Sequence, residues 1–144
     1  MPERAVAAII ADQQPVSAEA DTSVAEAARI MRSRRVGALL VMEGARLAGI
    51  FTERDALFRV IAEGRSPKST RISEVMTANP QTIGPDRPFA QALVMMHEGG
   101  FRHVPVVRNG HPVGMVSARD ALSLEWDELA LELGRRQQIG ESLG

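Results

Sequence analysis

The feature that most constrains this chain is an internal repeat, because its two halves align without a gap when position 15 is placed on position 80 and every later position keeps that offset. Over the aligned positions 15–57, 11 of 43 residues are identical, and four of these form the consecutive block 54–57, which recurs at 119–122. A constant offset of this kind indicates one supersecondary unit built twice. Since a unit of about 60 residues buries little core alone, we expect the copies to pack their apolar faces together about an approximate twofold axis.

Each repeat contains a strand, a helix, two strands and a helix, in that order. Short extended pieces bounded by Pro15 and Pro80 come first. Ser23 and Glu26 then form a capping-box pattern at the start of the first helix. The predicted buried stripes, at the i, i+3, i+4 and i+7 spacing of a helix, are Val24, Ala27, Ala28 and Met31 in one repeat and Phe89, Ala92, Leu93 and Met96 in the other.

A predicted hairpin follows each of these helices, at 36–52 in the first repeat and at 101–117 in the second. The pair Asn109-Gly110 is a strong signal for a two-residue turn in the second hairpin. A further helix then begins at Glu53 or Ala118. The sequence therefore predicts an α+β (α/β) fold, in which two β-α-β-β-α repeats pack with pseudo-twofold symmetry.

We predict four segments along the chain and an amphipathic last helix. The segments are 1–62, the first repeat with an N-terminal helix; 63–74, a solvated linker; 75–134, the second repeat with an extended C-terminal helix; and 135–144, a flexible polar tail. The stripe of the last helix consists of Leu122, Trp126, Leu129 and Leu133. It either packs on its own domain or forms a dimer contact with Trp126 as the anchor. Gly134 is the expected C-cap.

The composition argues against several classes of function. With 17 basic and 18 acidic residues and only 3% aromatic residues, the chain is not expected to bind nucleic acid. It has no cysteine, which removes thiol catalysis and cysteine-based metal sites. Of its three histidines only His103 and His111 could meet across the hairpin, and no acid lies beside them to complete a metal site. No apolar run approaches the roughly 20 residues of a membrane span, and no nucleophile elbow or Walker-type loop is present. We therefore expect a cytoplasmic, non-enzymatic protein without a metal or a membrane partner.

The motif Gly-x-x-[Thr/Ser]-x-Arg-Asp occurs in both repeats, at 49–55 and at 114–120, and two interpretations of it stay open. A hydroxyl three residues before an acid at a helix start is close to a capping box, worth about 1 kcal/mol. The same geometry suits a nucleoside phosphate, because a helix N-terminus attracts phosphate and an aspartate can accept hydrogen bonds from two ribose hydroxyls. The glycine would then let a ligand approach the strand.

The repeat, the element order, this motif and the hairpin segments VGALLVM and FRHVPVV together resemble a pair of cystathionine-β-synthase (CBS) domains, a Bateman module, over about residues 5–133. The resemblance implies that adenosine-containing ligands (AMP, ADP, ATP or S-adenosylmethionine) bind in clefts between the repeats, with no catalytic cofactor. It also implies a homodimer that regulates an unidentified protein. The implied site residues are Asp55 and Asp120 for ribose, Thr52 and Ser117 for phosphate, Ser17 and Thr82 on the opening strands, and Arg102 and His103, before Val104 and Pro105, as basic phosphate contacts.

The repeats differ where the basic contacts are implied, because Gly37 and Ala38 align with Arg102 and His103. Capping does not explain an arginine and a histidine on a hairpin predicted to be buried, where unpaired charge is costly; the alternatives are an exposed edge arginine and a satisfied core histidine. We predict weaker phosphate binding at the first site, and a larger effect from replacing the second aspartate. Arg119 is either a phosphate or dimer contact or an exposed helical charge. The alternative function is a ligand-independent interaction module with vestigial clefts.

Overall fold

The structure, a computed structural model, describes residues 4–143 of the chain, with side chains described as far as residue 135. The first half contains α1 (Val6–Ile9), β1 (Ser17–Glu19), α2 (Val24–Arg34), β2 (Ala38–Glu43), β3 (Arg46–Thr52), α3 (Glu53–Asp55) and a π-helical segment (Ala56–Ile61). The second half contains α4 (Ile72–Val75), β4 (Thr77–Ala78), α5 (Phe89–Gly99), β5 (His103–Arg108), β6 (His111–Ser117) and α6 (Ala118–Leu143).

The two repeats pair their strands in the same register. Strand β1 runs parallel to β2 with Ala18 opposite Val41, and in the second half Ile83 forms a parallel bridge with Val106. The second pair is the first one moved by the offset of the sequence repeat, so the repeat predicted from the sequence is confirmed in the backbone pairing. The extended piece predicted at 81–83 makes this single bridge and no longer strand.

Both predicted hairpins are present as antiparallel pairs, β2 with β3 and β5 with β6. The first belongs to a four-stranded sheet of order β1-β2-β3-β4, and the second forms a two-stranded sheet. Asn109 and Gly110 have φ angles of 52° and 80°. A type I′ turn needs positive φ at both central residues, which explains why this dipeptide lies there.

The central helix of each repeat covers its hairpin with one apolar stripe. Ser23 caps α2, because its side-chain oxygen accepts a hydrogen bond from the backbone N–H of Glu26 at 3.1 Å. In α2 the buried stripe is Val24, Ala27 and Met31, and in α5 it is Phe89, Ala92 and Met96. The predicted burial of Ala28 is wrong: this residue is exposed, and its equivalent Leu93 is only partly buried, because each helix buries a narrow stripe at the i, i+3 and i+7 spacing.

Each repeat has its own hydrophobic core, and the short helices α1 and α4 are exchanged between them. Val6 and Ile10 at the start of the chain pack in the core of the second repeat. Conversely, Ile72 and Val75 of α4 are buried in the core of the first. The N-terminal helix α1, which the sequence assigns to segment 1–62, therefore packs against the second half of the chain.

The last helix packs against the core of the second repeat only through its first two turns. Ala121 and Leu124 pack against the second core. The predicted stripe points elsewhere: its exposed fractions are 66% for Leu122, 70% for Trp126, 53% for Leu129 and 59% for Leu133. Packing of this stripe on its own domain is therefore wrong, and the dimer contact stays a prediction. The C-cap at Gly134 is also wrong, since α6 continues to Leu143. None of the helices in residues 4–143 combines the length and apolar character that a membrane crossing requires.

Candidate functional site

Two clefts lie where the repeats meet, and the offset of the sequence repeat relates their walls. We call the larger, of about 820 Å³, the Asp120 cleft and the smaller, of about 530 Å³, the Asp55 cleft. The Asp120 cleft is lined by residues 13–16, 35–38, 53, 102–103, 115, 117–120 and 122. The Asp55 cleft is lined by residues 50, 52–55, 59, 77, 79–81 and 99–103. Each cleft thus joins the opening segment of one repeat to the strand–helix junction of the other.

The structure brings seven of the eleven expected site residues to the cleft walls. Ser117, Arg119 and Asp120 line one cleft, Thr52 and Asp55 line the other, and Arg102 and His103 line both. The other four lie outside the walls as described. Ser17 and Thr82 are exposed two positions beyond the wall prolines Pro15 and Pro80, while Val104 and Pro105 are buried beneath the clefts.

At the Asp55 cleft the capping interpretation of the motif is confirmed. The Thr52 side-chain oxygen accepts from the Asp55 backbone N–H at 3.2 Å, and Asp55 Oδ2 accepts from the Thr52 backbone N–H at 3.0 Å. The other carboxylate oxygen, Oδ1, lies 3.6 Å from Arg59 Nε. Asp55 is buried, and both of its carboxylate oxygens contact groups of the protein itself. Arg59 also donates to the carbonyls of Val75 and Met76, at 3.2 and 3.0 Å, which fixes its position.

At the Asp120 cleft the motif has a looser arrangement. Asp120 Oδ2 accepts from the Ser117 backbone N–H at 2.7 Å, and the Ser117 hydroxyl lies 3.5 Å from the same oxygen. Within the described side chains, Oδ1 of Asp120 has no polar partner, and the residue is half-buried. Leu124 stands where the first repeat has Arg59, so no cation pairs with this carboxylate from the same helix. This acid keeps an oxygen free to accept a hydrogen bond from a ligand.

Arg102 and His103 lie where the two clefts meet, and their burial differs from our expectation. Arg102 is exposed, just before β5 begins, so its charge stays in water and the predicted burial of the pair is wrong for this residue. His103 is partly buried. Burial lowers the pKa of His103 from its ordinary value, and nearby Arg102 lowers it further, whereas Glu53 and Asp120 act in the opposite direction. A phosphate placed here would face a charged arginine and a histidine whose neutral form is favoured by burial.

Glu53 is a cleft residue that the sequence analysis did not identify. It lines both clefts, and its carboxylate lies over Gly37: a Cβ added to that glycine would be 3.0 Å from Glu53 Oε1. In the second repeat the equivalent positions are Arg102 and Ala118, so each repeat has one long charged side chain here, of opposite sign. The sequence signal was present in the alignment as this paired difference.

The motif glycines make room for the protein itself, which corrects the expectation that they admit a ligand. A Cβ on Gly49 would lie 2.5 Å from Met76 Sδ and 2.6 Å from the Thr77 carbonyl oxygen. A Cβ on Gly114 would lie 3.0 Å from the side chain of Ile10. The exchanged segments therefore occupy the space over both glycines.

Gln13 is a second residue that sequence reasoning missed. Its side-chain amide donates to the Met115 carbonyl at 2.9 Å and accepts from the Met115 backbone N–H at 3.1 Å. The amide thereby continues the ladder of β6 at the edge of the Asp120 cleft, as strand β4 does beside β3 in the other half. No local sequence pattern predicts a contact between two residues so far apart in the chain. Within side chains 4–135, no group of three His, Asp or Glu residues could hold a metal ion.

Comparisons with known proteins agree with this architecture. The family model described as "CBS domain" matches residues 6–62 and again 72–127. The CBS domain-containing protein CBSCBSPB2 of Arabidopsis thaliana is 43% identical over 102 residues, which are 70% of this chain and 19% of that protein. The chain thus spans about a fifth of the length of this curated relative.

Two solved structures share the fold and hold adenosine compounds. A CBS domain protein of Pyrobaculum aerophilum, in complex with AMP, has a TM-score of 0.75 and 26% identity, over 85% of this chain and 97% of that one. The CBS domain pair of protein MJ0100, in complex with 5′-methylthioadenosine and S-adenosyl-L-methionine, has a TM-score of 0.78 and 28% identity, over 88% and 99%. Two matched repeats, two related clefts and these likenesses lead to one conclusion: the chain belongs to the CBS-domain family, as a pair of CBS domains.

Proposed function

We propose that this protein is a regulatory module that binds an adenosine-containing ligand, AMP, ADP, ATP or S-adenosylmethionine, between its repeats. The observation that carries the proposal is the Asp120 cleft. It places a carboxylate with a free oxygen, the start of a long helix, the cation Arg102 and the ring of His103 around a single cavity of about 820 Å³. Complexes of structural relatives with AMP and with S-adenosylmethionine support the choice of ligand class.

In this proposal each wall of the cleft recognises one part of the ligand. The adenine lies against the apolar side chains of Val16, Val36 and Met115. Asp120 Oδ1 accepts from the ribose hydroxyls, because an ionised carboxylate offers only acceptors. The phosphate lies near the Ser117 hydroxyl and the N-terminus of α6, whose free N–H groups and dipole favour an anion.

The basic residues add the charge that a phosphate needs. Arg102 is exposed and carries no ion pair among the described residues, so it can turn toward a phosphate and bind it through two N–H groups. His103 supplies a second donor through its ring N–H, and Arg119 lies on the wall as a second cation. No residue in this arrangement performs chemistry on the ligand. We propose a non-catalytic sensor that regulates an effector protein or domain in the cytoplasm.

Ligand binding is tested by calorimetric titration of the full chain with AMP, ATP, S-adenosylmethionine and NAD. We expect at least one of the adenosine compounds to bind and to stabilise the fold by about 2.7 kcal/mol at a hundred times its Kd. For a chain of this size that is a rise in Tm on the order of 5 to 10 °C. An unchanged Tm across the panel at millimolar concentration would refute the proposal.

We also propose that the module forms a homodimer through the apolar stripe of α6. Leu122, Trp126 and Leu129 are more than half exposed, and a contiguous apolar surface of this kind marks an interaction site. Trp126→Lys should convert a dimer into a monomer in light scattering after size-exclusion chromatography. Glu128→Lys, also exposed on α6, is the control and should leave the dimer intact. A wild-type protein that is monomeric at all concentrations would contradict the proposal.

The same exposed stripe favours a second candidate function, a ligand-independent interaction module with vestigial clefts. Trp126 at 70% exposure would then anchor a different protein. In that case Trp126→Lys would abolish capture of the partner, while Asp120→Ala would leave it unchanged. Capture that depends on an adenosine ligand and on Asp120 would favour the sensor.

A further inference from the structure

We infer that the chain binds one adenosine ligand, in the Asp120 cleft, and that Arg59 keeps the Asp55 cleft from binding the same ligand. This inference rests on the proposed function, because it takes ribose recognition by an aspartate as given. It goes beyond the interpretation of the sequence, in which both copies of the motif recognise ribose. The difference between the clefts lies in which polar atoms the protein already uses.

The two aspartates differ in the acceptor atoms that they offer. A ribose presents two neighbouring hydroxyls, and one free carboxylate oxygen, which has two lone pairs, can accept a hydrogen bond from both. Asp55 accepts from the Thr52 N–H with one oxygen and faces Arg59 with the other at 3.6 Å. Asp120 has only Oδ2 engaged. The side chain of Asp55 is also only 10% exposed, so a ligand hydroxyl would have to displace Arg59 to reach it.

The two hydroxyl residues differ in the same direction. Thr52 Oγ1 accepts from the Asp55 N–H at 3.2 Å and is thereby held as a helix cap. The Ser117 hydroxyl makes one long contact of 3.5 Å to Asp120 and does not accept from a backbone N–H in the described structure. It can therefore rotate toward a phosphate without uncapping a helix.

Arg59 accounts for the lack of a free ribose acceptor in the Asp55 cleft. Its guanidinium lines this cleft beside Asp55, and its hydrogen bonds to the Val75 and Met76 carbonyls hold it there. The equivalent position on α6 is Leu124, which is apolar and packs against the second core. Position 59 therefore decides whether a cleft has a free ribose acceptor.

The phosphate contacts also favour a single ligand. Arg102 and His103 line both clefts, and the first repeat offers Gly37 and Ala38 in their place. Two phosphorylated ligands would therefore compete for one pair of hydrogen-bond donors, of which Arg102 carries the charge. A ligand in the Asp120 cleft has the free carboxylate as well, so it binds these donors first.

The test is calorimetric titration of the full chain with AMP and, in parallel, with 5′-methylthioadenosine, which has the same ribose and no phosphate. We expect one molecule of each bound per chain. Asp120→Asn should weaken both by about 10- to 100-fold, the range for hydrogen bonds to a charged group. Asp55→Asn, the matched control, should leave each affinity nearly unchanged, since Asp55 does not contact the ligand in the Asp120 cleft.

Replacement of Arg59 tests its role directly. Arg59→Leu, which copies the second repeat, should raise the stoichiometry for 5′-methylthioadenosine from one to two per chain. Arg59→Gln keeps a donor for the two carbonyls and replaces Arg59→Leu if circular dichroism shows that the leucine variant does not fold. Two ligands bound per wild-type chain, loss of binding in Asp55→Asn alone, or one ligand in the folded Arg59 variant would overturn the inference and leave the proposed function standing. Absence of binding by every adenosine compound would overturn the proposed function itself.

Discussion

Replacing each motif aspartate by alanine in the ligand-free protein should separate the structural role of one from the binding role of the other. Asp55→Ala removes a carboxylate that caps α3 and pairs with Arg59 in a buried setting. A hydrogen bond to a charged group contributes about 1.5–3 kcal/mol. The pair with the half-exposed Arg59 adds at most about 0.5 kcal/mol once solvent screening is considered. We expect a loss of about 2–3 kcal/mol in the free energy of unfolding.

Asp120→Ala removes an equivalent cap, but from a half-buried residue without an ion pair. Water can replace part of the lost hydrogen bond, so the expected loss is about 1 kcal/mol, that of an ordinary cap. Urea unfolding followed by circular dichroism measures both losses. At about 3 °C per kcal/mol for a chain of this length, Asp55→Ala should melt about 3 to 6 °C below Asp120→Ala.

Adding AMP should reverse the order of the effects. AMP at a hundred times its Kd should stabilise wild type and Asp55→Ala by about 2.7 kcal/mol and stabilise Asp120→Ala much less. The reasoning is refuted if Asp120→Ala costs as much stability as Asp55→Ala without ligand, since that would show that Asp120 is as fully engaged as its counterpart.

Three further outcomes follow from individual residues. Gly49→Ala should lower the free energy of unfolding by about 1–3 kcal/mol through overpacking, because the added Cβ would lie 2.6 Å from the Thr77 carbonyl oxygen of β4. Gly84→Ala is the control: its Cβ would have no neighbour nearer than 4.0 Å, so thermal melting should show no change. Because burial lowers the pKa of His103, the unfolded chain binds a proton there more readily than the folded one, and stability should fall as the pH drops below about 6.5. His103→Gln should reduce that loss of stability, whereas His111→Gln, at an exposed site, should not. Glu53→Gln should strengthen AMP binding about two- to fivefold relative to 5′-methylthioadenosine, because it removes a negative charge from the cleft wall.

The sequence allowed the fold to be predicted in detail wherever the repeat itself carried the information. The constant offset between the repeats placed Ile83 opposite Val106 once Ala18 lay opposite Val41, and the hairpins and capped helices followed from local patterns. The exchange of α1 and α4 could not be predicted, because periodicity shows which face of a helix is apolar and not which core receives it. The direction of α6 was missed for the same reason: Leu122 and Leu124 are equally apolar, and only packing decides which is buried.

The sequence predicted which residues lie in the candidate site, but not which of their polar atoms are already hydrogen-bonded within the protein. The motif identified Asp55 and Asp120, and both lie in clefts. Arg59 lies four residues after Asp55, a spacing that allows an ion pair on a helix, and its absence at Leu124 was visible in the alignment. Whether that pair leaves an oxygen free depends on the capping bond from Thr52, which requires atomic positions. Contacts such as that of Gln13 depend on folding of the whole chain.

The exchange of charge between the repeats makes the two halves of a duplicated fold unlike at their centre. In both repeats the same backbone bond ties the junction helix to the hairpin, from Glu53 to Gly37 at 2.9 Å and from Ala118 to Arg102 at 3.0 Å. The long charged side chain is Glu53, on the junction helix, in the first repeat and Arg102, just before β5, in the second. An acidic and a basic residue therefore lie near His103, where the two clefts meet. Two identical repeats would have placed two like charges there, which repel each other. Opposite charges attract instead, and because both clefts share them, we expect a ligand in one cleft to change the electrostatics of the other.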